Sequence, residues 1–461
     1  MPFTYHFCGI LLTSQNLKFK GRNQQVKRVL GGTIKRRHES ALEDANTLLG
    51  FGVSQNEVTK MKRGIVVFLA IVVGISTVLF SGYSETIAQP QPIKIGGSLP
   101  ASGIHAETSK WIKMGYEAWA EDVNKRGGFL GRAVKMTIYP DQGTPDEAVT
   151  YFERAITVDK VDLLIGGYPG PSVVALMPLA EKYKKVLVGM GGHMKSFDQG
   201  YTYSFGSPPL MAEWIYLPLS GILDDLIPKA EWPKSIALLV ANNVMGLAGK
   251  GNISKVMEER GVKVVMEETY NLPLNDATPL VSRAKGKGAE VLCCLSFFDD
   301  GVMIMRAAKT LNYNPKLIFH QIASIVPPWM KELGEDGNHV ANSTFWHARL
   351  PFPGNNEINE AAKTKLGIPG GPLFFGFGYC WMKTLELAVQ GGGTLDNTKI
   401  RDYLRSAKLD LPYGKGITFD KKGLPPPFCF ATQTTGGRVE ILWPKNIATT
   451  KLVYPKPEWS K

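Results

Sequence analysis

Glycine, serine and tyrosine gather where apolar runs of this chain end, and those positions hold most of the chemistry it can offer. Ile93-Lys94-Ile95 runs into Gly96-Gly97-Ser98-Leu99-Pro100. The apolar run 161–165 opens onto Gly166-Gly167-Tyr168-Pro169-Gly170-Pro171-Ser172, and the run 185–190 ends in Gly191-Gly192-His193. Loops of small residues expose backbone N–H groups, which suits an anionic group. Such loops hold a ligand; alone they do not transform one.

The constellations that would transform one are missing from the sequence. There is no GxSxG elbow, because Gly96-Gly97-Ser98-Leu99-Pro100 lacks the closing glycine. Gly249-Lys250 and Gly414-Lys415 are each followed by glycine and lack the earlier glycine of a phosphate loop. Gly376-Phe377-Gly378 sits in an aromatic run that begins a helix, where close packing explains it better than a dinucleotide. The seven histidines contain no HExxH, and His339 and His347 are not ligand-spaced. Glu258-Glu259 and Glu267-Glu268 read as solvated element ends. The expectation is a protein that is no enzyme and needs no cofactor or metal.

The loops must be positioned by an alternation of strands and helices. Strands at 93–95, 134–139, 161–165 and 185–190 alternate with helices at 108–124 and 175–183 and one after Pro145. A helix over 212–226 should bend or break at Pro218. A second run begins at Ser235, with strands at 236–240, 262–267, 290–295 and 317–319. Its loop ends are Asn242 to Gly246, Ser296 to Asp300, and His320-Gln321. Helices at 356–366, 374–390 and 397–406 follow, then strands at 428–432 and 439–443 around Gly436-Gly437. The fold class is α/β: two doubly wound, parallel-sheet lobes joined by several crossings, with a ligand cleft between them. The expected lobes are 92–208 with 342–425, and 209–341 with 426–450.

Composition fits this class. Of 461 residues, 44% are hydrophobic and 20% charged, as in ordinary globular proteins. The formal charge of +12 invites a nucleic-acid reading, but residues 1–88 alone hold eleven Lys/Arg against five Asp/Glu. No basic stripe interleaved with aromatics remains, so no nucleic-acid partner is expected. Met61-Lys62-Arg63 precedes an uncharged stretch from Gly64 to Ser84, and Thr86-Ile87-Ala88 approximates a small-x-small cleavage site. This is the layout of a secretory leader spanning 61–88, with Gln89 as the first mature residue. Met61 is then the natural start, and 1–60 a non-structural extension. An uncleaved leader would instead anchor the protein in the membrane. No cysteine lies near the cleavage site, and Cys293, Cys294, Cys380 and Cys429 read as buried free thiols.

An ordered set of short matches carries a family resemblance over roughly Pro92 to Trp443. Ile93-Lys94-Ile95-Gly96, Gly115-Tyr116-Glu117-Ala118, Asp122-Val123-Asn124, Gly127-Gly128 and Leu130-Gly131-Arg132 resemble type I periplasmic binding proteins. Within them the chain is similar to the branched-chain amino acid receptors of ABC importers. Asp141-Gln142-Gly143, Pro145, Ala148 and Asp420-Lys421-Lys422-Gly423 continue the match. The resemblance implies a periplasmic receptor that closes two lobes on a small molecule and delivers it to an ABC permease. The alternative is a membrane-anchored sensor ectodomain of the same fold.

The resemblance also implies site residues. A carboxylate clamp would involve Tyr168, Gly170 and Ser172, with Gly191, Gly192 and His193 across the groove. His105, Glu107 or Thr108 would add a wall from the first loop. Met245, Phe297, Phe298 and Gln321 would contact the ligand from the second lobe. Two departures bear on the ligand. Pro169-Gly170-Pro171 stands where the family has paired hydroxyls, and Pro171 lacks an N–H. The ammonium-binding glutamate of the family falls near Ile322, beside His320 and Gln321, while Asp299 and Asp300 read equally as the start of a helix. A buried ammonium without an anionic partner is costly. An aromatic or apolar carboxylate, or an amide, therefore joins the α-amino acids as an expected ligand.

Overall fold

Strand β1 (Ile93–Pro100) has Ile93 and Ile95 wholly buried, as expected of a parallel strand covered on both faces. The structure, a computed structural model, describes residues 90–190, 197–207, 211–368 and 371–460, plus 56, 60 and 64. The expected extension and leader thus fall almost wholly outside the described residues. Among those residues, no helix is long and apolar enough to cross a membrane.

Helix α1 (Ala106–Lys125) buries Ile112, Gly115, Tyr116, Trp119 and Val123, a stripe at three- and four-residue spacing. Strand β2 (Val134–Asp141) precedes α2 (Pro145–Thr157). The Thr144 side chain caps α2 by accepting from the Glu147 N–H, and a proline occupies its first turn, where no N–H is needed. Next come β3 (Leu163–Leu164), α3 (Gly170–Lys182), β4 (Leu187–Gly189) and β5 (Ser204–Gly206). β1 is central, pairing in parallel with β2 and β3, and β4 pairs in parallel with β5. The Gly166 N–H donates to the Val188 carbonyl at 3.0 Å, tying the end of β3 to β4.

Helix α4 (Met211–Gly221) runs through Pro218 unbroken, and a π-helical turn follows at Ile222–Leu226. The expected break at Pro218 is therefore displaced by about one turn. The second sheet is then built from β6 (Ser235–Ala241), α5 (Val244–Glu259), β7 (Lys263–Tyr270), α6 (Thr278–Gly286), β8 (Val291–Leu295), α7 (Phe298–Thr310), β9 (Leu317–His320), the short α8 (Trp329–Leu333) and β10 (Val340–Thr344). All seven residues of β6 are buried.

The chain continues as α9 (Asn355–Leu366), α10 (Leu373–Gly392), α11 (Asn397–Ser406), β11 (Leu409–Leu411) and β12 (Gly414–Ile417). It returns to the second sheet with β13 (Phe430–Thr435) and β14 (Arg438–Trp443). That sheet has seven strands in the order β14-β13-β10-β9-β8-β6-β7. β6 to β10 are parallel, whereas β13 is antiparallel to both β10 and β14. The sheet thus has the expected parallel core, with the expected hairpin around Gly436-Gly437 added antiparallel at its edge. A hairpin joined by a tight turn can only pair antiparallel.

α10 lies against α1 without room for side chains at two glycines. A Cβ on Gly115 would stand 2.2 Å from the Phe375 carbonyl oxygen, and one on Gly378 would stand 2.2 Å from that of Ile112. A Cβ on Gly376 would meet the Trp346 ring. Gly376-Phe377-Gly378 therefore serves close packing within a helix. The core follows the same arrangement. One cluster joins β1, β3 and β4 to α1, α10 and α11, and two others cover the faces of the seven-stranded sheet.

Candidate functional site

Helix α3 begins at Gly170, five residues before the expected Ala175. Pro169 is its N-cap and Pro171 falls in its first turn, where a missing N–H costs nothing. Gly170 and Ser172 are therefore first-turn residues at the positive end of the helix dipole, not parts of an open loop. The Ser172 N–H donates to the Pro169 carbonyl at 3.0 Å. Its hydroxyl is buried and has no hydrogen-bond partner. Gly166 and Gly167 ahead of the helix both have positive φ, 72° and 118°, which a side chain would resist.

Tyr168 ends this glycine stretch at 6% exposure. Burial pushes its phenol up to about 12, while the hydrogen-bonded Thr108 hydroxyl pulls the other way. His105, just ahead of α1, meets the Tyr168 ring edge to face, with centroids 5.4 Å apart. Burial lowers the His105 imidazole below its ordinary value, favouring the neutral form. Gly143 closes over the other side: a Cβ there would stand 3.5 Å from His105 Cδ2. The loop is set by Asp141, whose Oδ1 accepts from the Gly143 N–H at 2.8 Å.

The seven-stranded side contributes Phe297, at the exit of β8. Its ring lies 6.2 Å from that of His105, again edge to face. Phe298, the next residue, opens α7 and packs instead into a core cluster of its own sheet. Asp299 and Asp300 lie in the first turn of α7, and the Tyr270 hydroxyl donates to Asp300 Oδ2. Both acids are thus accounted for as helix-start residues.

Gln321 follows β9, is fully buried, and its amide nitrogen and oxygen both lack partners. Its backbone N–H donates to the Cys294 carbonyl at 3.0 Å. Beside it, His320 Nδ1 and Ser296 Oγ share a hydrogen bond of 2.8 Å. Burial drives the His320 imidazole down to about 3, so it is neutral near pH 7. This pair pins the residues preceding Phe297 and Gln321.

His105, Thr108, Tyr168 and Phe297 thus come together. Gly191, Gly192 and His193 lie outside the described residues, as does the side chain of Met245, which the backbone places in the first turn of α5. Sequence reasoning passed over Phe374, whose ring lies 6.3 Å from that of Tyr168. Its signal was present: an aromatic two residues after Pro372, at the second position of α10. Among the described residues no group of acids, histidines and cysteines could hold a metal ion. The arrangement offers an aromatic wall, a helix N-terminus and a buried amide. It can bind, and its hydrogen-bonded hydroxyl–imidazole pair, Ser296 with His320, is fully buried.

Residues 92–437 match the family model described as periplasmic binding protein. The leucine-, isoleucine-, valine-, threonine- and alanine-binding protein of Pseudomonas aeruginosa is 22% identical over 344 residues, covering 74% of this chain and 90% of that protein. The structure of a putative branched-chain amino acid ABC transporter protein from Silicibacter pomeroyi aligns with a TM-score of 0.70 at 19% identity, covering 79% of this chain and 99% of its own. The solute-binding protein of an R. palustris ABC transporter, in complex with benzoate, aligns with a TM-score of 0.65 at 15% identity, covering 76% and 95%. These relatives are binding proteins, not enzymes.

Proposed function

The chain belongs to the periplasmic binding protein family, and on that premise we propose that it is the extracytoplasmic receptor of an ABC importer. It captures a small carboxylate or amide by closing two lobes, then delivers it to a membrane permease. The lobes are 92–208 with 345–425, and 209–344 with 426–450; the expected crossing at 341/342 falls inside β10 (Val340–Thr344), a strand of the seven-stranded sheet, and is moved to its end. Residues 61–88 export it to the periplasm.

The observation that carries this reading is the meeting of His105 and Tyr168 with Phe297, which brings one aromatic wall from each sheet onto a common point. Contacts available only when both walls are together favour the closed form, so binding shifts the population toward closure. The ligand's carboxylate faces the first turn of α3, with the free Ser172 hydroxyl and the backbone of Gly170, Gly191 and Gly192. Its apolar body fills the space between Tyr168, Phe297 and Phe374. Thr108, His193, Met245 and Phe298 complete or support the wall, and the Gln321 amide supplies a donor and an acceptor.

An aromatic carboxylate suits these groups better than an α-amino acid. An ammonium needs an anion, and Gln321 offers only a neutral amide. The benzoate held by the R. palustris protein supports the same class. A thermal-shift screen of residues 89–461 against amino acids, amides and aromatic acids tests this. A ligand present at a hundredfold its Kd adds about 2.7 kcal/mol of stability. Aromatic acids are expected to shift the melting point. A shift by leucine alone would reject the ligand class, and turnover of any hit would reject the receptor.

A further inference from the structure

A second recess, of about 540 Å³, lies beyond the aromatic cluster and shares none of its residues. Its size falls in the range of small-molecule sites. One wall is the sheet face and edge at β10 and β14, and another is the turn leading into α8. Residues 346–349, Asn359 of α9 and residues 371–373 close it from the other side. Apolar surface comes from Trp329, Trp346, Met330 and Leu373, with both tryptophans almost wholly buried.

Its polar groups are unevenly matched. Arg349 bonds to Glu440, and Arg438 Nε lies 3.9 Å from the same carboxylate. Two guanidinium groups thus share one carboxylate among the lining residues, leaving a net positive rim. Thr449 also donates to Glu440, at 2.6 Å, so that carboxylate is held in place. Deeper in, Thr434 is fully buried with its hydroxyl unpartnered, and Asn359 Oδ1 is buried without a donor. The Asn359 amide nitrogen is already committed to the Ala348 carbonyl at 2.7 Å. A buried acceptor without a donor is costly, and native proteins satisfy nearly all such groups.

We propose that this recess is a second ligand site, for a small aromatic acid carrying a hydroxyl group. The carboxylate meets Arg438 and Arg349 at the rim, where it restores charge balance. The ring lies along Trp346 and Met330, and the hydroxyl donates to Asn359 Oδ1. The site is independent of the cleft at Tyr168, since no residue is common to the two.

The fluorescent acid 6-hydroxy-2-naphthoate probes it, titrated into the purified protein while tryptophan emission is followed. Four variants separate the sites: Tyr168→Phe and Phe297→Ala in the cleft, Arg438→Glu and Ala348→Phe in the recess. Arg438 is a surface side chain, so its reversal keeps the fold even if the larger residue at 348 does not. The expected result is saturable binding that survives both cleft changes. Arg438→Glu weakens it roughly fivefold at low salt and less at high salt, as a screened rim charge requires. Ala348→Phe, by filling the recess, abolishes the component that survives the cleft changes. Binding that is unaltered in both recess variants overturns the proposal. So does the absence of saturable binding to the unmodified protein.

Discussion

The His105 ring, set ahead of α1, meets the Phe297 ring, set at the end of β8, edge to face at a centroid separation of 6.2 Å. The two residues flank elements that serve different sheets, so this pair is a direct contact between the two halves of the fold. Phe297 is only partly buried and sits at a helix cap, where it contributes less to the core than Tyr168 does. Phe297→Ala should weaken the best ligand by about 0.5–1.5 kcal/mol, or roughly two- to twelvefold, since an aromatic pair adds about that much beyond its area. Isothermal calorimetry would measure the loss. An unchanged affinity would remove Phe297 from the site.

Under the proposed function, Gln321 decides which charge the ligand carries. Its amide is buried and unpartnered, and a carboxylate in its place would repel an acid but attract an ammonium. Gln321→Glu should lower affinity for aromatic acids at least about a hundredfold, close to 3 kcal/mol. The same variant should gain affinity for α-amino acids. Competition assays with both ligand classes would read the exchange, and equal loss for both would mean that the amide only supports the fold.

Gly378→Ala sets helix propensity against packing. Alanine favours a helix by about 1 kcal/mol over glycine. Here the added methyl would stand 2.2 Å from the Ile112 carbonyl oxygen, which is backbone and cannot rotate away. α1 and α10 must therefore move apart, at a cost of about 2–4 kcal/mol. Urea denaturation should show net destabilisation.

His320 makes the protein sensitive to acid. Its folded value of about 3 lies below the ordinary 6.5 because burial disfavours the charged ring. Between those values the unfolded chain binds the extra proton, so stability falls as pH drops below about 6.5, by up to ~1.4 kcal/mol per unit. Above 6.5 this contribution is flat. His320→Gln should show a shallower decline between pH 6.5 and 4 than the unmodified protein, measured by urea midpoints. Equal slopes would mean that the imidazole finds a water path to protonate in place.

Much of this was readable in the sequence because parallel strands buried on both faces are written as unbroken apolar runs. β6, whose seven residues are all buried, is the clearest. The placement of Tyr168 at a glycine-rich strand end followed from the same alternation, whereas His105 entered only through the family resemblance, as one of three first-loop residues. Two features did not follow. The start of α3 at Gly170 was obscured by Pro169 and Pro171, which read as a loop although both fit a helix's first turn. The division of labour between Phe297 and Phe298 is a matter of side-chain direction at a helix cap, which period alone cannot set. Phe374 was hidden for a third reason: it lies far along the chain from Tyr168, and only the return of α10 onto α1 brings them together.

The seven-stranded sheet takes its last two strands from the far end of the chain. β10 ends at Thr344, yet its neighbour β13 starts only at Phe430, after three further helices and a hairpin. A nascent chain that has emerged as far as α11 therefore displays an unpaired strand edge, which is a template for misassembly. Such long-range pairing also slows folding, because loop closure must precede the contacts that reward it. The native sheet cannot close until residues 430–443 have been made. Under the proposed export by residues 61–88 this delay is useful, since the chain stays threadable until residues 430–443 have been made.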